Sequence, residues 1–389
     1  MDASWFIASR LRFKGKVAMV CIAVSFLVMI VAVSISSGFR RELRTSLTEL
    51  SGDVLITRPD MNMMRESEPI SLDSPFISYL DGSALVEEIV PTVWRAGIVK
   101  SQEGMHGVVI KGVPSPMVAS DSLPLAVSIP KGLAQAAGLK SGDRMLTYFI
   151  GEDVKVRQFN VAEIHDAIAE TDDRHIVYVA LSDMQRLNEW KDDEVSAIEI
   201  HLVGNLDSED DIREATQEIG TIVNLYDPDE NLVATSSVSR YPQLFNWLAL
   251  IDFNVSFILL LMTIVAGFNM ISGLLIMLFE NISTIGLLKS LGMTDRSIAK
   301  VFLSSSALLV AKGMAVGNAL ALLFCFIQKT THILKLNPEN YYVSSVPVNI
   351  DLGSVLVADA VSFVVIMLLL LIPCLFISRV DPAQTVRVR

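Results

Sequence analysis

Hydrophobic positions along the chain fall into two regimes. Four stretches are almost wholly apolar and long enough to cross a bilayer, which takes roughly 20 helical residues. They are Val17–Ser37, Asn254–Leu278, Phe302–Gln328 and Ser354–Ser378. The first two carry no charge, the third only Lys312 and the fourth only Asp359. Between the first two, apolar residues alternate with polar ones or form β-branched runs, the mark of strands. Strands are expected at Val54–Thr57, Val108–Val113, Met145–Ile150, Val154–Ile164, Ile176–Ala180, Ser196–Val203 and Thr221–Leu225. Helices are expected at Lys131–Ala137, ended by Gly138, and at Ser182–Leu187, opened by a serine N-cap. A third, Asp211–Ile219, follows Ser208 with Asp211 three residues on, a start like a capping box. Strand–helix–strand from Ser196 to Leu225 reads as one compact α/β unit. Asp60–Asp73, with four acids, three methionines and a proline, reads as a mobile loop.

This pattern sets an expected layout. Residues 1–16 form a cytoplasmic flank, 17–37 the first span, 38–253 an outer domain and 254–278 the second span. Residues 279–301 form a cytoplasmic segment, 302–328 the third span, 329–353 an outer loop, 354–378 the fourth span and 379–389 a cytoplasmic tail. Basic residues in short flanks orient membrane chains. Arg10, Arg12, Lys14 and Lys16 precede span one, Lys289, Arg296 and Lys300 lie between spans two and three, and Arg379, Arg387 and Arg389 end the chain. Both termini are therefore expected in the cytoplasm. Arg40, Arg41 and Arg44 dissent, but a long translocated domain crosses largely regardless of charge. The first stretch exceeds the roughly 7–15 apolar residues of a cleaved leader, so it is read as a span.

Composition agrees and adds one refinement. The chain of 389 residues is 51% hydrophobic, with a mean hydropathy of +0.48, and its net charge is −12. An acidic chain is a poor match for nucleic-acid phosphates, which call for clustered Lys and Arg. Residues 41–250 hold 17 basic and 35 acidic side chains, a net of −18, whereas the remainder is at +6. An outer domain so charged is repelled by anionic headgroups and faces soluble partners. The three cysteines, Cys21, Cys325 and Cys374, all fall in spans, so the outer domain is expected to hold by its core without disulfides.

Catalytic patterns are missing from the sequence. His106, His165, His175, His201 and His332 show no metal-ligand spacing, and no nucleophile elbow or phosphate loop occurs. The acidic groups Asp172–Asp173, Asp192–Glu194 and Glu209–Asp211 read as solvated turns and helix starts rather than calcium loops. No catalytic residue, metal or cofactor is expected in this chain.

The informative stretch lies between spans two and three. Span two runs without a breaker into a segment in which Ile282, Ile285, Leu288 and Leu291 share one helical face, and Gly292 ends it with Lys289 in the last turn. Thr294–Asp295 provides the next cap. So short an apolar stripe calls for either the bilayer interface or a protein groove. Glu280 followed by Ile285-Gly286-Leu287-Leu288-Lys289-Ser290-Leu291-Gly292 resembles the coupling segment of FtsX/MacB-type ABC permeases. The resemblance extends to Ser37–Leu43, Leu139–Asp143 and Asp381–Arg387, and to the layout of one span, a large outer domain and three further spans. Asn281 and Thr284 depart from the pattern, which has a basic residue and a second acid there.

Within that family the chain is most similar to the lipoprotein-releasing permeases of the LolC/LolE type. The resemblance implies a fold of four transmembrane helices plus an α+β extracytoplasmic domain of the MacB periplasmic kind. It also implies a homo- or heterodimer of permease chains and a separate LolD-like ABC ATPase that binds ATP and Mg. A lipoprotein substrate, a LolA-like periplasmic carrier and membrane lipids complete the implied partners; nucleic acid is not among them. The coupling helix would comprise Glu280, Ile282, Ile285, Gly286, Leu288, Lys289, Leu291 and Gly292. Alternatives on the same architecture are a MacB-like export or efflux permease and an FtsX-like regulator of periplasmic cell-wall enzymes. A membrane-anchored sensor is disfavoured, since no expected cytoplasmic segment exceeds about 25 residues.

Three further expectations concern the spans. Gly313, Gly317 and Ala321 form a small-residue face for close helix packing, against span two or four or against a second subunit. Phe26, Met29 and Ile30 of span one and Phe257 and Leu261 of span two are candidates to line a lipid-facing cavity. Lys312 and Asp359 are intramembrane charges, which are functional by default unless they reach water by snorkelling.

Overall fold

The computed structural model describes residues 16–374 apart from 60, 62–67, 102–103, 115–123, 152, 166–174, 205–207, 338–340 and 342. The flank 1–15, much of the expected loop 60–73, the pair Asp172–Asp173 and the tail with its Asp381–Arg387 motif lie outside these residues. Two compact units emerge, one from Met1–Arg41, Trp247–Leu336 and Ser345–Arg389, the other from Glu42–Asn246 and Asn337–Ser344.

The second unit begins within a long helix, α1 (Lys16–Ser51). There follow β1 (Val54–Thr57), β2 (Ile70–Ser71), α2 (Pro75–Asp81), β3 (Val86–Lys100), β4 (Met105–Val113), β5 (Ala126–Pro130), α3 (Lys131–Ala137), β6 (Arg144–Phe149), β7 (Lys155–His165) and β8 (His175–Ala180). Then come α4 (Leu181–Asn188), β9 (Glu194–Val195), β10 (Ala197–Leu202), α5 (Glu209–Tyr226), β11 (Val233–Ser236) and α6 (Ser237–Arg240). Among the described residues nine strands form one sheet in the order β11-β1-β10-β3-β4-β8-β5-β7-β6, and β2 pairs β9 apart from it. The end of β3, Ile98–Lys100, also pairs with Leu146–Tyr148 of β6, so the pairings from β3 round to β6 close on themselves.

Strand alternation divides this sheet into two faces. Val54, Ile56, Val93, Ile110, Val127, Ile129, Val177, Ile198 and Ile200 point into the main core, together with Leu133, Met184, Ile219 and Val223 from the helices. Leu55, Trp94, Val109 and Ala197 form a smaller cluster of their own. Six of the seven expected strands stand at their places. The seventh, Thr221–Leu225, is instead the last turns of α5, because Ile219 and Val223 continue the helical spacing of Ile212, Ala215 and Thr216 on the buried face. The strand of the α/β unit is β11. Ile70–Ser71 of the expected loop is a strand, β2, and α4 starts one residue before the expected Ser182, with Ala180 rather than a serine at its N-cap. Gly138 ends α3 as expected, at a left-handed φ of 65° with Leu139 donating to the Ala134 carbonyl.

The first unit is helical: α1, α7 (Pro242–Glu280), α8 (Ile282–Ser290), α9 (Asp295–Thr331), α10 (Leu352–Leu369) and α11 (Leu371–Cys374). Among the described residues four helices are long and apolar enough to cross a membrane: Val17–Ser51, Pro242–Glu280, Asp295–Thr331 and Leu352–Cys374. The first two outrun the expected spans at 37 and 254. Gly38 does not break α1, and Pro242 sits where proline favours a helix start. The last helix is interrupted at Leu370, because Pro373 has no N–H and its ring crowds the carbonyl four residues back.

The packing of this unit corrects two expectations. A Cβ on Gly317 would lie 2.5 Å from the Ala23 carbonyl oxygen and 2.9 Å from Phe26 Cβ, and one on Gly313 2.7 Å from Ile22 Cγ2. Gly313 and Gly317 therefore receive α1 rather than span two or span four, and span four joins only at Ala321. Ala321 continues the small face of α9 against Ile30 and Val355. Phe26, Met29 and Ile30 are consequently buried in helix packing, while Phe257 and Leu261 are exposed on α7, so the five do not line one cavity. Replacing Gly317 by Val should lower the melting temperature of the purified full chain by the equivalent of about 1–3 kcal/mol, the usual range for overpacking. Ala319→Val, on the exposed side of the same helix, should leave it unchanged.

Candidate functional site

The segment expected to couple the chain to an ATPase is α8, and its geometry is specific. α7 ends at Glu280, and Asn281 forms a one-residue link, its side-chain amide donating to the Met277 carbonyl at 2.8 Å. Span two is therefore not continuous with this helix, as the pattern had suggested. Ile285, only 1% exposed, and Gly286 face the helical core, with Leu288 packed beside them. Leu287 and Leu291 are 55% and 74% exposed, and Ile282 is half-exposed. The expected stripe is thus split, and the free apolar surface belongs to Leu287 and Leu291, four residues apart on one side. Leu287 was missing from the residues singled out by periodicity, which scored apolar spacing but not which side the bundle would take.

Gly292 closes α8 with φ 89°. Its amide donates to Lys289 O and that of Met293 to Leu288 O, both at 3.0 Å, which is the Schellman pattern. Lys289 reaches Asp295 at 2.9 Å across the turn, and the Thr294 hydroxyl accepts from the Ser297 amide to cap α9. A helix so pinned at its end is a firm knob. Glu280 is exposed at the end of α7.

At the opposite end of the same unit, the motif after span one acquires a physical role. Ser36 Oγ donates to Asp252 of α7 at 2.7 Å, and Arg40 pairs with the same carboxylate. Phe39 meets Trp247 edge-on with centroids 5.6 Å apart. Gly38 lies against the backbone of Pro347 so closely that a Cβ would overlap the proline carbonyl. Asn349 donates to Ser34 O and to Ser37 Oγ, both at 3.0 Å. Asp351 caps α10 by accepting from the Gly353 and Ser354 amides, and the Ser354 hydroxyl and these amides hold its carboxyl below the usual range.

Of the two intramembrane charges, Asp359 is 6% exposed and accepts from Asn318 Nδ2 of α9, beside a Thr263–Ser362 hydrogen bond of 3.1 Å. Lys312 lies on the exposed side of α9. No group of metal-ligating side chains occurs among the described residues.

The sheet's second face holds a constellation that the sequence did not announce. Trp94, Lys111, Tyr178 and Ser128 are direct neighbours across β3, β4, β8 and β5. Lys111 Nζ donates to Glu199 Oε2 at 2.8 Å and to Leu50 O, in the last turn of α1, at 2.7 Å. It also lies 5.1 Å from the Trp94 ring centroid. Burial draws the Lys111 amine below its ordinary pKa, opposed by Glu199, and pushes the Tyr178 phenol up, with Glu199 adding to the rise. Asp53 ties the same region together, accepting from Thr48 Oγ1 at 2.9 Å and the Leu202 amide at 3.0 Å, while its carbonyl takes the Ser237 amide at 2.8 Å.

Residues 256–382 match the family described as FtsX-like permease C-terminal. Over 97% of its length the chain is similar to LolC, the lipoprotein-releasing system transmembrane protein, of Xylella fastidiosa, at 21% identity and covering 94% of that protein. LolC of Neisseria meningitidis serogroup B gives 23% identity with the same coverages. Among solved structures, the extracellular domain of the ABC-type transporter YknZ is 13% identical, with a TM-score of 0.31 over 47% of this chain and 98% of that one. The periplasmic region of MacB from Actinobacillus actinomycetemcomitans is 11% identical, with a TM-score of 0.32 over 50% and 92%.

The end of α8 yields a test. Gly292→Ala places a Cβ in the left-handed region and should cost about 1 kcal/mol or more, read as faster hydrogen exchange of the Gly292 and Met293 amides. The rest of the helical unit should exchange as before.

Proposed function

We propose that this chain, an FtsX-like permease similar to LolC along nearly its whole length, is the membrane subunit of an ABC transporter that extracts lipoproteins from the inner membrane for sorting to the outer membrane. ATP and Mg are bound by a separate LolD-like ATPase, and the chain itself acts mechanically. A second permease chain completes the transporter, and a LolA-like carrier receives the lipoprotein. Both termini lie in the cytoplasm, the four long apolar helices span the inner membrane amid its lipids, and the sheet domain stands in the periplasm.

The observation that carries this reading is α8. It is a short helix pinned at its end by Gly292, packed on one side through Ile285 and bare on the other at Leu287 and Leu291. A firm helix with one free apolar side fits a groove on a partner protein. It joins α7, whose 39 residues run without a break from Glu280 back to Pro242, about 58 Å at 1.5 Å per residue. Closure of an ATPase pair against α8 would be delivered along that rod.

The test separates docking from packing. Leu287→Asp together with Leu291→Asp should reduce co-purification of the ATPase about tenfold or more, since each exposed leucine gives up an apolar contact. The full chain should still insert and melt normally. Ile285→Asp should instead destabilise the helical unit. Undiminished co-purification with the double variant would overturn the docking role of α8.

A further inference from the structure

We propose that Glu199 is a shared carboxylate on which Lys111 and Arg240 alternate, so that the polar row on the sheet relays the movement of α7. This rests on the mechanical reading above, and it names positioning residues that act through one another rather than on a substrate.

In the present arrangement Glu199 serves Lys111. The two side chains are 3% and 2% exposed, and Lys111 at the same time holds the Leu50 carbonyl of α1. A second cation stands close by. Arg240 lies with its guanidinium 5.6 Å from the centroid of the same Trp94 ring that Lys111 approaches at 5.1 Å. Glu199 and Arg240 interact electrostatically, as do Arg240 and Lys111. Yet Glu199 Oε1 and Arg240 Nη1 are both buried and neither has a hydrogen-bond partner among the described residues.

A buried donor and a buried acceptor left unmet each cost free energy, and joining them relieves both. Buried ion pairs add little net stability, but they do select one arrangement over another. Two arrangements are therefore open to Glu199. In one, Glu199 holds Lys111 and through it the end of α1; in the other, it holds Arg240.

Arg240 is placed to be moved. It is the last residue of α6, and only Tyr241 separates it from Pro242, where α7 begins. α6 itself is fixed by its Ser236 cap and by the Ser237 amide on Asp53 O, so a pull on α7 falls on Tyr241 and on the Arg240 side chain. Beyond Lys111 the row continues through Tyr178, edge-on to His165, which is 2.8 Å from Ser128 Oγ.

The experiment uses the full chain with its co-purified ATPase in lipid nanodiscs. It follows hydrogen exchange of the peptide 236–244 with and without Mg and a non-hydrolysable ATP analogue. In the wild type, nucleotide should slow exchange of this peptide about tenfold, as for a hydrogen bond that meets a buried unpaired donor and acceptor. Arg240→Gln should remove the response and Arg240→Lys should restore part of it. Lys111→Met should show the slowed exchange without nucleotide. Thermal melting of each variant establishes that it is folded, and Arg240→Gln, which leaves the Lys111–Glu199 pair intact, is the deciding variant. A wild type indifferent to nucleotide, or Arg240→Gln responding as the wild type does, would overturn the relay. A nucleotide response in a complex that releases no lipoprotein from vesicles would keep the relay and remove the substrate assignment.

Discussion

The Ile22 side chain and the Ala23 carbonyl of α1 lie where side chains of residues 313 and 317 would have to be. Lipid tails are as apolar as leucine, so helices in a bilayer gain nothing by hiding apolar surface from them. They associate where small residues let backbones approach. Gly313, Gly317 and Ala321 make that approach possible along two turns of α9. Ile22 and Phe26 become core residues because of it, and they meet Ala266, Met270, Leu274, Phe302 and Ile366 in one cluster. Ile285 of α8 belongs to the same cluster, so the position of the short helix depends on the contact that seats α1.

The helical unit in this way fixes one side of α8 and leaves the other free. A short amphipathic helix in isolation is marginal, since nucleation is costly and few hydrogen bonds repay it. Here Ile285 and Leu288 anchor it, the Gly292 turn ends it, and the Lys289–Asp295 pair braces the turn. What remains outward is a small apolar surface at Leu287 and Leu291, held in a definite orientation. At the far end of α7 the same logic recurs with polar groups, where Asp53, Lys111 and Glu199 fasten the end of α1 and the α6 link to the sheet.

Much of this was legible in the chain. The long apolar helices, the helix ends at Gly138 and Gly292 and the Thr294 cap follow from local chemistry, which tertiary packing did not override. The strand β3 escaped notice because Glu87, Glu88 and Pro91 interrupt its apolar run. Pro91 is tolerated because β4 pairing begins only at Val93, so its missing N–H breaks no ladder bond on that side. Thr221–Leu225 misled because a β-branched run looks alike in a strand and in a buried helix face. The partner of the small-residue face was beyond reach, since a GxxxG pattern states only that some helix comes close. Glu199, Lys111 and Arg240 sit 88 and 41 residues apart in sequence, and nothing local distinguishes them from solvated charges. Only the cross-strand register, with α6 following β11, brings them together.

The proposed role in lipoprotein release makes a direct demand on the cell. The decisive measurement is depletion of this chain followed by membrane fractionation and quantification of triacylated lipoproteins. The account predicts that they accumulate in the inner membrane as the chain is lost. Undisturbed delivery to the outer membrane after depletion would contradict it.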